Sequence, residues 1–330
     1  MSRYREQIAA ALEAVTIRGP TRYSWLGRAS RPLAGRVEAQ LNESERRTYL
    51  VSSLREELYA SFYTQGWPVP ARWGEPEPAS ADPWLAAELS RANAGCGSWQ
   101  PGWTVQRLKD DEAVVASTRL RARVPLDDCL AGCGAISPGA AIMVRLPDDL
   151  PELSPGFHTV LSDAPVDTPT WASITRVYWN VAAAGAPALV GMLTSQLNRE
   201  GVPFRLKVAD HPFRFDRCDS AVLYLPGEVF QALREPLTRV AGALTAHLRP
   251  AIPALTLSFA PGVGLAEDDG SESFGARRCA LLADGIVHAH AQRLRRIEAR
   301  VDAVAARFAE DGVLIDAPYL EPSLAGRHVL

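Results

Sequence analysis

Two runs of the chain combine basic side chains with an otherwise apolar pattern: Thr175-Arg-Val-Tyr-Trp-Asn180 and Gly201-Val-Pro-Phe-Arg-Leu-Lys-Val208. A strand turns alternate side chains to opposite faces, so Arg176, Tyr178 and Asn180 fall on one face, and Arg205 and Lys207 share a face of a second strand. Cations concentrated in core-like strands point to a site that handles an anion. Arginine forks match the oxygens of phosphate or carboxylate. A lysine held beside arginines has its charged form disfavoured and becomes a usable general base. An ordinary solvated sheet face is the competing reading of the same pattern.

The segment Asp210-His-Pro-Phe-Arg-Phe-Asp-Arg-Cys-Asp219 follows at once. Pro212 cannot donate to a strand ladder, so His211, Arg214 and Arg217 are expected on a loop or strand entrance. The arginines there have two uses open, a ligand anion or ion pairs with Asp210, Asp216 and Asp219. His158, just beyond the Pro155-Gly156 turn, is a candidate proton donor to a leaving group, with a structural role as its alternative. Tyr178 is a candidate acid or phosphate ligand, whereas Trp179 on the opposite face reads as core.

Further along, Gly270-Ser-Glu-Ser-Phe-Gly-Ala-Arg-Arg278 precedes an apolar helical run. Ser271 or Ser273 can cap that helix, Gly275 permits a close approach, and Arg278 can reach an anion near the helix start. No P-loop lysine, dinucleotide fingerprint or serine-hydrolase elbow accompanies it. Metal chemistry has little support. His288 and His290 are two apart on a helix and do not share a face, while Cys129 and Cys133 face together only in a helix that Gly132 and Gly134 discourage. Neither a metal nor an organic cofactor is expected.

These residues need a scaffold, and the pattern supplies one. Residues 3–17 read as a helix with Tyr4, Ile8, Leu12 and Val15 on one side, and residues 42–63 as a second, opened by a capping pair of Asn42 and Glu45. A Pro, Trp and Gly-rich connector from Gly66 to Trp84 offers Trp67, Trp73 and Trp84 as contact area for a peptide or as core. Strands are expected at 103–108, 112–118, 140–146, 156–161, 174–182, 202–208, 219–225 and 254–259. Helices are expected at 187–199, 227–248 and 275–292, the last continuing to 309. The fold class is α+β: a mainly helical N-terminal region, residues 1–95, followed by a mixed or antiparallel sheet packed with helices, residues 96–330.

A chain of 330 residues can bury a substantial core, and its five cysteines, an odd number without a CxxC pair, suit free thiols in a cytoplasmic protein better than a disulfide framework. Net charge is only −3, so the surface as a whole draws neither nucleic acid nor an anionic membrane. No apolar run reaches spanning length without charge, and the polar start lacks the core of a secretory signal.

Arg176-Val-Tyr-Trp-Asn180, Phe204-Arg-Leu-Lys207, Arg217-Cys-Asp-Ser-Ala-Val-Leu-Tyr224 and Ser273-Phe-Gly-Ala-Arg-Arg-Cys279 resemble the Hop-A type III effector family. The chain looks most like that family's stand-alone actinobacterial proteins of class V lanthipeptide and thioamitide biosynthesis, from Gly156 to Ala289 above all. That resemblance implies a phosphoserine/phosphothreonine lyase. A phosphotransferase-like kinase would phosphorylate Ser or Thr in a leader-bearing precursor peptide, this chain would eliminate the phosphate to leave dehydroalanine or dehydrobutyrine, and a cyclising enzyme would follow. Lys207 is the leading base, Arg176, Arg205, Arg217 and Arg278 form the phosphate-binding pool, Tyr178 and His158 are candidate acids, and His211 is a reserve. The alternatives are a non-catalytic phosphopeptide-binding scaffold and a phosphatase-like hydrolase.

Overall fold

The computed structural model describes residues 2–71, 78–117, 120–132, 134–166, 171–270 and 272–330. Trp73, Cys133 and Ser271, singled out above, lie outside them. In chain order come α1 (Arg3–Ala14), a small sheet of β1 (Val15–Gly19), β2 (Arg22–Trp25) and β3 (Arg28–Ala29), the single turn α2 (Gly35–Glu38), α3 (Glu43–Leu58) and α4 (Pro83–Ala92). A five-stranded sheet follows, built from β4 (Ser98–Lys109), β5 (Glu112–Ala116), β6 (Arg121–Pro125), β7 (Cys129–Ala131) and β8 (Ala141–Leu146). The remainder comprises β9 (Asp149–Ser154), β10 (Phe157–Leu161), β11 (Ile174–Trp179), α5 (Ala186–Arg199), β12 (Arg205–Ala209), β13 (Ala221–Pro226), α6 (Phe230–Ala243), β14 (Leu257–Ala260), β15 (Val263–Asp268), α7 (Phe274–Ala291) and α8 (Ile297–Glu310). The fold is α+β, and every strand pairing among the described residues is antiparallel.

The central sheet has seven strands in the order β14-β15-β11-β13-β12-β10-β9. Its two faces are covered by different helices. On one, Val177, Trp179, Leu206, Val208, Leu223 and Leu265 pack with apolar residues of α4, α5 and α6. On the other, Ile174, Tyr178, Val222, Tyr224 and Ala266 join a core made by α1, α3, α7 and α8. Each fully buried Leu, Val or Phe there contributes about 1.5–3 kcal/mol. The five-stranded sheet buries its own small core around Trp103, Val115 and Val144 and turns Arg121, Arg123 and Arg145 outward.

Local chemistry explains where the elements begin and end. The Asn42 side chain accepts from the Glu45 amide at 3.0 Å while the Glu45 carboxylate accepts from the Asn42 amide at 2.8 Å, closing a capping box that starts α3. That helix runs into a π-helical turn, Tyr59–Tyr63, which stacks the rings of Tyr59 and Tyr63 at 5.4 Å. The first helix stops at Ala14 instead of reaching residue 17, because Val15, Thr16 and Ile17 are needed by β1 to pair with β2. The last long helix breaks instead of continuing to 309: α7 ends at Ala291, Arg293 takes a φ of 57°, and α8 folds back so that Val304 lies against Gly285. Residues 254–259 also divide differently, into a bend and β14, with β15 following as a strand whose Gly, Glu and Asp residues masked it. No helix among the described residues is long and apolar enough to cross a membrane.

One close packing joins the π-helical turn to α7. A Cβ added at Gly275 would lie 2.2 Å from the Tyr63 ring, so only glycine lets that ring rest on the helix. Gly275→Ala should therefore destabilise the fold by about 1–3 kcal/mol, read as a lower urea midpoint at unchanged slope; an unchanged midpoint would mean that the ring is not seated there.

Candidate functional site

Antiparallel register arranges the singled-out residues in two rows across the sheet. Arg176 of β11 and Arg205 of β12 both pair with Tyr224 of β13, while Tyr178 and Lys207 both pair with Val222. All six side chains are on the face turned to α3 and α7. Those helices seal the face over β11 and β15, but toward β12 it stays open, leaving Arg205 and Lys207 half-buried. The opening is a cleft of about 380 Å³. Arg176, Tyr178, Arg205, Lys207 and Arg217 line it together with Tyr59, Tyr63, Phe157, Asp219, Val222, Tyr224, Gly270, Glu272 and Ser273.

The Tyr224 ring is the centre of the cationic end. The guanidinium carbons of Arg205 and Arg176 stand 4.3 and 5.1 Å from its centroid, and the Lys207 Nζ 5.8 Å. An aromatic face attracts such charges and fixes their side chains without neutralising them. Two of the arginines are also anchored by carboxylates. Arg176 pairs with Asp268 at 2.6 Å and donates to the Glu272 carbonyl at 2.8 Å. Arg217 holds Asp219 with both arms of its fork, donates to the Tyr59 hydroxyl at 3.4 Å and lies over the Phe157 ring. Burial opposes the charge on both arginines, and the carboxylates of Asp268 beside Arg176 and of Asp219 beside Arg217 offset that cost.

Lys207 differs. No carboxylate among the described residues pairs with it, and burial, then Arg205, then Arg176 pull its ammonium down from the usual 10.5 to about 8. Of the 35 basic residues in the chain only Lys109 and Lys207 are lysines. Arginine cannot give up its proton in a protein, whereas a crowded lysine can. Tyr178 behaves oppositely: burial raises its hydroxyl well above the ordinary tyrosine range, so it stays a donor. Its oxygen is approached by the Tyr63 hydroxyl but makes no well-formed hydrogen bond among the described residues. At the rim, Ser273 is the N-cap of α7 without using its hydroxyl to cap, and the positive end of that helix lies there.

Three residues from the sequence-based pool do not reach the cleft. His158 is fully buried on the other face of β10, where Phe157 takes the cleft side; its Nε2 meets Asp149 at 3.1 Å and burial lowers its pKa. A step of one residue along a strand reverses the face. His211 caps the 3₁₀ turn Pro212–Arg214, its Nδ1 accepting from the Phe213 amide at 3.2 Å. Arg278 is wholly buried, donating to the Pro318 and Leu320 carbonyls at 2.7 and 2.8 Å with Glu321 nearby, so it holds the C-terminal segment against α7. Asn180 and Arg214 are likewise occupied, by the Ala251 carbonyl and by Asp210 with the Pro78 carbonyl. The sequence assigns no role to Tyr59 and Tyr63, although their segment shares the family resemblance and their spacing of four on one helical face is the available signal, nor to Asp268, in a strand not foreseen.

The model of the HopA1 effector protein family matches residues 149–320. No curated protein matches the chain. Two solved effector proteins are similar. That of Pseudomonas syringae pv. tomato strain DC3000 is 17% identical over 81% of this chain and 90% of its own, with a TM-score of 0.46. That of Pseudomonas syringae pv. syringae strain 61 is 20% identical over 52% of this chain and 65% of its own, with a TM-score of 0.38. At these TM-scores neither likeness contributes to the assignment of the site.

The lowered Lys207 carries a sign that stability can test. Between about 8 and 10.5 the unfolded lysine binds a proton that the folded one has shed, so the cost of charging it is full below pH 8 and fades as pH climbs to 10.5. Lys207→Met should raise the melting temperature at pH 7, and the advantage should shrink over that window. Sulfate should stabilise the wild type more than this variant. A variant less stable than wild type at pH 7 would contradict the geometry.

Proposed function

As the chain belongs to the HopA1 effector protein family and its cleft gathers cations around an uncompensated lysine, we propose that it eliminates phosphate from phosphorylated serine and threonine residues of a ribosomally made precursor peptide. The observation that carries the reading is Lys207: a side chain brought to about 8 by burial and by Arg205 and Arg176, in one cleft with three guanidinium groups. A phosphate binder needs the arginines alone. Only a base needs a lysine that sheds its proton near neutral pH.

The neutral Lys207 amine takes the proton from Cα of the phosphorylated residue. Its electron pair becomes the Cα–Cβ double bond, the Cβ–O bond breaks, and the phosphate leaves with that bond's electrons. Charge grows first on the peptide carbonyl and then on the phosphate. Arg176, Arg205 and Arg217 match it in this reading, and the protonated Tyr178 hydroxyl donates to either oxygen. Lys207 then returns its proton to solvent or to the departing phosphate. The finer assignment follows the resemblance to the stand-alone actinobacterial lyases: a separate Ser/Thr kinase supplies the phosphopeptide, and a cyclising enzyme consumes the dehydrated product in lanthipeptide or thioamitide assembly.

Mass analysis of a phosphothreonine peptide after treatment with the protein separates the possibilities. Loss of phosphoric acid with release of inorganic phosphate supports elimination, recovery of the unmodified threonine signals hydrolysis, and binding without turnover signals a scaffold. Lys207→Ala should cut kcat/KM by about 10²–10⁴-fold. The wild-type kcat/KM should rise with pH and level off above about 8, since the base is the neutral form. Turnover of the variant at the wild-type rate would remove Lys207 from the reaction.

A further inference from the structure

The floor between Lys207 and Tyr178 is a single side chain. Val222 pairs with both across the sheet, and facing Cβ atoms on neighbouring strands stand about 4.5–5.5 Å apart, so its isopropyl group occupies the surface between them. Among the described lining residues only Val222 and Phe157, glycine aside, have side chains without a polar atom. Phe157 lies under the Arg217 guanidinium, 5.4 Å from its ring centroid. Val222, otherwise part of the buried core, is therefore the apolar floor of the cleft beside the lysine.

Elimination places the substrate relative to that surface. Lys207 must come within hydrogen-bond reach of the Cα proton, which brings Cβ, one bond away, next to whatever adjoins Lys207. Of the groups on Cβ, the phosphate is drawn to the arginines. The remaining substituent is a hydrogen in serine and a methyl in threonine. We infer that Val222 is a specificity-determining residue that favours phosphothreonine over phosphoserine by receiving the threonine β-methyl. The inference rests on the lyase reading of the cleft.

The test uses two synthetic peptides identical except for phosphothreonine or phosphoserine, and three proteins: wild type, Val222→Thr and Val222→Ala. Val222→Thr keeps the shape and exchanges a methyl for a hydroxyl; Val222→Ala opens a space, and it keeps the test available should the buried hydroxyl cost the fold. Intrinsic reactivity differs between the two peptides, so the readout is the change in their kcat/KM ratio. The phosphothreonine-to-phosphoserine ratio should fall about fourfold or more in each variant, the worth of one methyl-sized apolar contact. A ratio unchanged in both variants, with elimination still running, overturns the inference and leaves the lyase reading intact. If wild type eliminates neither peptide, the lyase reading fails, and the ratio of the two dissociation constants is measured in the same proteins. A rise in the phosphothreonine-to-phosphoserine ratio of dissociation constants still supports Val222 as the discriminating floor; an unchanged ratio, or no binding of either peptide, overturns it.

Discussion

Like charges held together partly out of water are the constraint around which this molecule is organised. Arg176, Arg205 and Lys207 share one face of three adjacent strands and converge on the ring of Tyr224. Desolvation and mutual repulsion both oppose such an arrangement. Arg176 meets it with a carboxylate, Asp268, and a backbone carbonyl, as Arg217 at the far side of the cleft does with Asp219. Lys207 is left to answer by losing affinity for its proton. In a chain that meets almost every other need for positive charge with arginine, a lysine at this point provides what arginine cannot: an amine that is neutral for part of the time near physiological pH.

The fold keeps this strained group in place from both sides. Behind it, Leu206, Val208 and Leu223 are buried against α5 and α6, so β12 cannot slip by a residue without sending Arg205 and Lys207 into an apolar core. In front, α7 and the π-helical turn after α3 form an aromatic wall in which Tyr63 contacts both Tyr178 and Phe274. That wall excludes water from Arg176 while leaving Arg205 and Lys207 at the open side. Partial exclusion matters, because full burial would remove access for a ligand and full exposure would return Lys207 to an ordinary ammonium.

Much of the site was legible because strand alternation is a strong local signal. Arg176 and Tyr178, and Arg205 and Lys207, share faces as their spacing requires, and Trp179 is core. Arg217 was recognised as a loop arginine, though its firm pairing with Asp219 was one of two uses left open. For His158 the structural alternative holds, because the choice of face depends on the partner strand: β10 turns Phe157, not His158, toward the cleft. Arg278 was misplaced because a helix start suggests an anion site only when that face is open, and here residues 318–321 close it. The strand β15 escaped notice because its buried Glu267 and Asp268 look like turn residues until their partners, His328 and Arg176, are known. In each case the missing information was a contact between segments far apart in the chain, which periodicity does not contain.

The most direct measurement is the proton affinity of Lys207 itself, followed by carbon NMR of protein labelled at lysine, where Lys109 and Lys207 give the only two side-chain signals. The signal that disappears in Lys207→Arg should titrate at about 8, and its midpoint should move upward when sulfate fills the cleft. A midpoint at the ordinary 10.5, unmoved by sulfate, would contradict the account at its root.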